Sequence, residues 1–309
     1  MDELEVKNLT YVNLLWDAGF KAVYADPRNK HHLINLLNNV LPDGVVVSEI
    51  VEYRDREQTQ DSVISKKTVL DLVCRDERGR IFSVEVQREA DWSMFKRCVY
   101  YASKQYHAQL LEGQEYETLR PVYEVAFLKD RLPHRRKEAW DTDHIISQFG
   151  FVENRTGELA PPTIFITFVE LGRFTKSAAD CRSYRDRLFH WIKNGWMMNA
   201  DPDYAGKDPE MRSLVEAARI AAFPPKKMED YERELMTELD IIIANRRNYR
   251  KGLEEGEAKG KAEGEAKGIA KGAYDKAVST ARNLLYEGIT SEVVAKCTGL
   301  SLEEVKALM

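Results

Sequence analysis

The sequence has no long hydrophobic run. No stretch of 18 apolar residues occurs among the 309 residues, and the longest candidate, residues 164–169, has only the length of a β-strand. We therefore expect no membrane-spanning helix. Three acids fall within the first five residues, where a targeting signal would be basic or apolar, and this favours a cytoplasmic protein.

Cysteine and histidine are scarce and do not form metal-binding motifs. The four cysteines, Cys74, Cys98, Cys181 and Cys297, include no CxxC pair, which fits a reducing compartment and argues against a structural zinc site. The six histidines show no HxxxH spacing. A nucleophile motif around serine or cysteine and a phosphate-binding glycine loop are also missing from the sequence. These absences argue against zinc enzymes and the common nucleotide-binding classes.

Charge is distributed unevenly along the chain. With 46 basic and 51 acidic side chains the net charge is −5, which by itself would disfavour nucleic acid as a partner. Residues 1–65 carry 6 basic and 11 acidic side chains, whereas residues 66–140 carry 15 basic and 12 acidic ones. The charge count therefore leaves DNA open as a partner, with weak and salt-sensitive binding.

Periodicity predicts an α/β domain. With 43% hydrophobic residues the chain has enough apolar material for a folded core. Helical spacing covers residues 9–24, 29–41, 92–111 and 177–198, and β-branched or apolar runs cover residues 45–53, 68–74, 81–86, 122–128 and 163–169. The strands at 122–128 and 163–169 are apolar throughout, which predicts burial on both faces. Residues 210–250 indicate one or two more helices, interrupted at Phe223-Pro224-Pro225.

The C-terminal part contains glycine at every fourth position from 252 to 272. This period fits a helix whose small residues admit a second helix, and it fits equally a flexible charged spacer. Two short helices are predicted at about 291–297 and 302–308. They resemble a helix-turn-helix, but the second is acidic, which favours docking or assembly over phosphate contact. Because neither has an obvious core of its own, we expect self-association, at least to a dimer.

Two carboxylates are predicted to face each other across a hairpin. Strand residues flank a polar turn containing Gly79, and a turn centred on Arg78 places Asp71 directly opposite Glu85. Gln87 lies two residues further on, hence on the same face. Converging carboxylates that leave room for water suit Mg²⁺, which also takes up phosphate oxygens. The spacing also allows an exposed hairpin face whose acids pair with basic neighbours, namely Lys66, Lys67 or Arg88.

The order of strand Asp71, short hairpin, strand Glu85-x-Gln87 and long helix resembles the PD-(D/E)XK nuclease superfamily. More narrowly, the sequence resembles the recombination-promoting nuclease (Rpn) family, also described as PD-(D/E)XK nuclease family transposases. The supporting stretches lie in the helix pair that begins near Asp17, in the helix after Gln87, in residues 168–174, in the glycine tract and in residues 298–301. Together they span almost the whole chain.

The resemblance implies a restriction-endonuclease-like α/β core, with a mixed central sheet flanked by helices and a helical C-terminal extension. We divide the chain into a nuclease-like domain over residues 1–200, a helical extension over 201–250, a linker or assembly helix over 251–275 and a small helical module over 276–309. The implied activity is a DNA endonuclease that depends on Mg²⁺ or another divalent cation and is associated with recombination or mobile elements.

The resemblance also implies roles for individual residues. Asp71 and Glu85 would bind the metal, and Asp17 is the candidate for a third acidic ligand by its position. Gln87 stands where the superfamily has lysine, and glutamine supplies no positive charge to a developing pentavalent phosphate. Lys21 or Lys67 would then supply that charge.

A second function is also consistent with the sequence. Because of the glutamine, the chain could be a catalytically weak nuclease-like module that binds DNA or assembles, with self-association through the C-terminal helices.

Overall fold

The computed structural model describes residues 9–54, 72–87, 90–133 and 144–309. The chain divides into two compact units, the first ending at Thr237 and the second covering Glu238–Met309. Among the described residues, no helix combines the length and the apolar character needed to cross a membrane.

The first unit is built around a mixed six-stranded sheet in the order β1-β2-β3-β4-β6-β5. The first three strands pair antiparallel, β3, β4 and β6 run parallel, and β5 is an antiparallel edge strand on β6. The strands are β1 (Ile50–Arg54), β2 (Leu72–Asp76), β3 (Ile81–Gln87), β4 (Val122–Leu128), β5 (Ile146–Phe149) and β6 (Ile164–Glu170). This mixed sheet with helices on both faces confirms the predicted fold class.

The helices largely follow the predicted pattern. They are α1 (Asp17–Tyr24), α2 (Lys30–Asn38), α3 (Trp92–His107), α4 (Tyr184–Asn194), α5 (Asp203–Lys207), α6 (Pro209–Ala217), α7 (Pro225–Tyr286), α8 (Ser291–Thr298) and α9 (Leu302–Lys306). Side-chain hydrogen bonds mark where two of these helices begin. Asp91 accepts hydrogen bonds from backbone N–H groups in the first turn of α3, and Ser183 forms a capping box at the start of α4. The predicted break at Phe223-Pro224-Pro225 separates α6 from α7.

The helix predicted over residues 9–24 is wrong for its first half, residues 9–16. Helix α1 begins only at Asp17, because the preceding segment forms backbone hydrogen bonds with residues that follow α6. The Val12 N–H donates to the Ala218 carbonyl at 2.9 Å, and the Ile220 N–H donates to the Thr10 carbonyl at 3.0 Å. Its apolar side chains are buried in the main core, so the segment contributes to the core without forming a helix.

The predicted hairpin register is confirmed for every described pair. Leu72 lies opposite Val84, and the next three pairs follow in step down to Arg75 opposite Ile81. In the turn, the Asp76 carboxylate accepts from the backbone N–H of Arg80 at 2.8 Å, and Gly79 has a φ of 76°, which favours glycine. Asp71 itself lies outside the described residues.

The sheet separates two apolar layers. One face of β2, β3 and β4, together with α1, α2 and α4, forms the main core, in which the Phe20 and Phe127 rings lie 6.5 Å apart. The other face packs against α3 through residues such as Cys98 and Ala102. Every residue of β4 is buried and β6 is buried beyond its first residue, as their continuous apolar character predicts.

The second unit is helical. The end of α7 packs with α8 and α9 around the buried side chains of Ala281, Val294, Leu300 and Val305. The expectation that the terminal helices lack a core was therefore wrong, because the last turns of α7 supply one. The glycine tract is part of α7, and a Cβ placed on Gly252 or on the other five glycines would meet no described atom within 4 Å.

Candidate active site

Strand β3 presents three polar side chains to the face of the sheet that carries α3. Successive residues of a strand alternate between faces, so Ser83, Glu85 and Gln87 share one face while Val84 lies in the main core on the other. Glu85 is only 4% exposed. A carboxylate this deeply buried is costly unless charges or hydrogen bonds compensate it, and such positions are candidates for function.

Helix α3 brings a cation to Glu85. Nη2 of Arg97 donates to Oε1 of Gln87 at 2.8 Å and lies 3.3 Å from Oε2 of Glu85. The Arg97 side chain is 39% exposed, whereas that of Glu85 is 6% exposed. One guanidinium therefore connects the two predicted site residues of β3 and also reaches solvent.

A second buried carboxylate comes from the neighbouring strand. Glu124 lies on β4 opposite Ser83 in the parallel ladder and is fully buried. The Ser83 hydroxyl donates to Oε2 of Glu124. Potential ligand atoms of Glu85, Cys98 and Glu124 all lie within 4.8 Å of one another. The two carboxylates thus converge at one place beneath α3.

The field at this place is negative. Burial raises the pKa of the Cys98 thiol, and the charges of Glu124 and Glu85 raise it further. Burial also raises the pKa of Tyr101, one turn further along α3, and the charge of Glu85 contributes in the same direction. The thiol is therefore protonated at neutral pH, and a site with this field attracts cations.

The donor set fits a hard divalent cation. Carboxylate oxygens from Glu85 and Glu124, with the amide oxygen of Gln87 nearby, are the oxygen ligands that Mg²⁺ prefers. The neutral Cys98 thiol is a poor ligand for such an ion, because metals bind the thiolate. The residues present therefore suit Mg²⁺ or Mn²⁺ better than a soft metal.

A comparison with family models relates this site to known proteins. The model of the PD-(D/E)XK nuclease family transposase matches residues 14–246, which contain all six strands together with Glu85, Gln87 and Arg97. The chain belongs to this family. No curated protein and no solved structure matches it. Membership in the PD-(D/E)XK transposase family confirms the resemblance noted from the motifs and supports a nuclease-like function in mobile elements.

Two of the predicted site residues cannot be placed. Asp71 and Lys67 lie outside the described residues. Leu72, which follows Asp71 in the chain, pairs with Val84 in the predicted register. The opposition of Asp71 and Glu85 remains a prediction for this PD-(D/E)XK family member.

The other two predicted site residues lie together on α1. Lys21 forms an ion pair with Asp17 one turn away, and the backbone N–H of Asp17 donates to Glu234 at 2.9 Å. Helix α1 packs on the Phe127 side of the sheet, the face opposite that of Glu85. Asp17 and Lys21 line a cavity of about 590 Å³ together with residues from the start of α7. The structure therefore groups Glu85 with Gln87, and Asp17 with Lys21.

Sequence reasoning missed Arg97 and Glu124 as members of the site. Glu124 is the lone charged residue of β4, whose six other residues are apolar, and that contrast is a local signal. Arg97 is one of the 15 basic residues between positions 66 and 140, and the local sequence does not assign it a role at the site. Its contacts with β3 depend on how α3 crosses the sheet, which no local pattern specifies.

Proposed function

We propose that this PD-(D/E)XK family member is a DNA endonuclease that hydrolyses phosphodiester bonds with the help of a divalent cation, most simply Mg²⁺. The observation that carries the proposal is the convergence of the buried carboxylates Glu85 and Glu124 beside Gln87 and Arg97. In the proposal, Asp71 completes the carboxylate set from the strand opposite Glu85. Asp17 and Lys21 form a separate pair outside this set.

The metal would polarise the scissile phosphate and lower the pKa of the attacking water. The protein's own part is to hold the charges in place. The register of β2 and β3 fixes Glu85, and the hydrogen bond from Ser83 fixes Glu124. Gln87 accepts from Arg97 through its oxygen, and its amide nitrogen remains a donor suited to water or a phosphate oxygen.

DNA is the proposed substrate because the family is a nuclease family and because the site lies in the stretch of the chain with a basic excess. Residues 66–140 carry 15 basic and 12 acidic side chains. A bound divalent cation would make the local surface more positive. We propose a cytoplasmic enzyme that acts in recombination or on mobile elements, and the four free cysteines fit a reducing compartment.

A second candidate function follows from Gln87. Because this residue lacks the positive charge of the superfamily lysine, the chain could act mainly as a DNA-binding or assembly module with weak catalysis. The exposed glycine tract of α7 favours a role in self-association, and we propose that the chain forms at least a dimer through it.

Incubation of the purified full-length protein with supercoiled plasmid separates the two functions. We expect nicked or linear DNA with Mg²⁺ and none with EDTA, and we expect Asp71→Asn to abolish the cleavage. Glu112→Gln, which removes an exposed acid after α3, is the matched control and should cleave like the wild type. Plasmid that is bound but left intact in Mg²⁺ would favour the binding and assembly function instead.

A further inference from the structure

Arg97 contacts both predicted catalytic side chains of β3. The same nitrogen, Nη2, donates to Gln87 at 2.8 Å and pairs with Glu85 at 3.3 Å. Position 87 holds a glutamine where a lysine would bring positive charge to the phosphate. Arg97 therefore places a permanent positive charge within hydrogen-bonding distance of the residue that lacks it.

We infer that Arg97 supplies the cationic contact to the scissile phosphate that Gln87 cannot make, so that the catalytic charge comes from helix α3 instead of strand β3. This inference rests on the proposed nuclease function.

The remaining donors of Arg97 support this role. A guanidinium carries five N–H donors in a planar fork, a geometry that matches phosphate oxygens. The side chain as a whole is 39% exposed, so a phosphate can approach it.

The position of Arg97 is set by the fold around it. Asp91 caps the start of α3, accepting from the backbone N–H of Ser93 at 2.6 Å and of Met94 at 3.2 Å. Met94 and Cys98 are buried in the layer between α3 and the sheet, which fixes the rotation of the helix. Arg97 is therefore held over the end of β3 by packing on either side of it.

In the hydrolysis, the oxygen of water forms a bond to phosphorus while the bond from phosphorus to the 3′ oxygen breaks. The bonding pair leaves with the 3′ oxygen, which takes up a proton to become a hydroxyl, and the water loses a proton to solvent. Arg97 keeps its own protons throughout. It donates hydrogen bonds to the non-bridging phosphate oxygens, whose negative charge grows in the transition state.

A role as a simple counter-ion of Glu85 makes the opposite prediction for the cleavage rate. If Arg97 only neutralised Glu85 and was displaced by the metal, its removal would tighten metal binding and leave or raise the cleavage rate. If Arg97 only held Glu85 in position for the metal, its removal would weaken metal binding and cleavage together. A phosphate contact instead lowers the rate and leaves metal affinity unchanged or tighter.

The test compares Arg97→Gln, Arg97→Lys and wild type in the full-length protein. The measurements are the single-turnover rate of plasmid nicking in Mg²⁺ and the affinity for Mn²⁺ followed by electron paramagnetic resonance. We expect Arg97→Gln to lose about 100-fold in rate, the scale found when one preorganised donor to a developing oxyanion is removed. Arg97→Lys should recover part of the rate, because it restores the charge without the fork. The matched control is Lys96→Gln, which removes an exposed charge from the same helix and should have no effect.

The outcomes separate the inference from the function on which it rests. A wild-type rate in Arg97→Gln, or a loss of rate matched by an equal loss of Mn²⁺ affinity, would overturn the role of Arg97 alone. A wild type that does not cleave DNA in Mg²⁺, or a Glu85→Gln variant that cleaves normally, would overturn the proposed function and the role of Arg97 with it. If Arg97→Gln folds poorly, Arg97→Lys still tests the role of Arg97, because it keeps the charge and its rate and Mn²⁺ affinity can be compared with those of the wild type.

Discussion

The closeness of Glu124 to Glu85 predicts that the protein becomes more stable when Glu124 is neutralised. Ligand atoms of the two buried carboxylates lie within 4.8 Å. Two like unit charges at that separation repel by about 3.5 kcal/mol at an effective dielectric constant near 20. The ion pair between Arg97 and Glu85 offsets part of this repulsion. We therefore expect Glu124→Gln, which keeps the size and an acceptor for Ser83, to raise the free energy of unfolding by about 1–2 kcal/mol in EDTA.

The same substitution should weaken the response to metal. A ligand that binds only the folded state stabilises it by about 2.7 kcal/mol at a concentration of 100 times its Kd. Wild-type protein should therefore gain stability as Mg²⁺ is added, and Glu124→Gln should gain less. The two effects have opposite signs, as expected where a site keeps destabilising charges for function.

Thermal unfolding with and without Mg²⁺ measures both effects. For a unit of this size, 1 kcal/mol corresponds to a Tm shift of about 2–4 °C. Glu112→Gln, at an exposed acid, is the control and should leave Tm and its metal dependence unchanged. A Glu124→Gln protein that is less stable than wild type in EDTA would refute the predicted repulsion, and so would an equal gain in stability from Mg²⁺ in both proteins.

Two further predictions concern other parts of the chain. Burial, and then the charge of the neighbouring histidine, lower the pKa of His32 from 6.5 to about 4, so the unfolded chain takes up a proton at a higher pH than the folded one. The free energy of unfolding that depends on neutral His32 is fully present above pH 6.5, and about 3 kcal/mol of it is lost as the pH falls towards 4. Denaturant titrations at several pH values should show this loss in wild type and not in His32→Gln. For the glycine tract, the double variant Gly260→Glu with Gly264→Glu should lower the oligomeric state measured by sedimentation of the full chain. The control Ala262→Glu, on another face of α7, should not lower it. An unchanged oligomeric state in the double variant would contradict self-association through the tract.

The sequence was most informative where one local pattern settles the geometry. A turn centred on Arg78, with glycine at position 79, predicted which residues of the hairpin lie opposite each other. All described pairs of β2 and β3 have this register. Strands β4 and β6 were predicted within one residue because each is a short apolar run, a pattern specific to buried parallel strands.

It was least informative where distant segments decide the outcome. The segment before α1 has helical periodicity, yet hydrogen bonds with residues 218–220 hold it in a non-helical conformation. Strand β5 was missed because its four residues carry a weak pattern and form a strand only by pairing with β6. Arg97 and Glu124 meet Glu85 through the crossing of α3 and the parallel pairing of β3 with β4, and both are long-range arrangements.

We propose that Glu85 belongs to a metal-dependent site that cleaves DNA. The most direct measurement is the initial rate of plasmid nicking over a Mg²⁺ titration, for wild type and for Glu85→Gln at equal folded concentration. We predict a rate that saturates with Mg²⁺ in the wild type and no rate above background in the variant at any Mg²⁺ concentration. Equal saturating rates in the two proteins would contradict the claim.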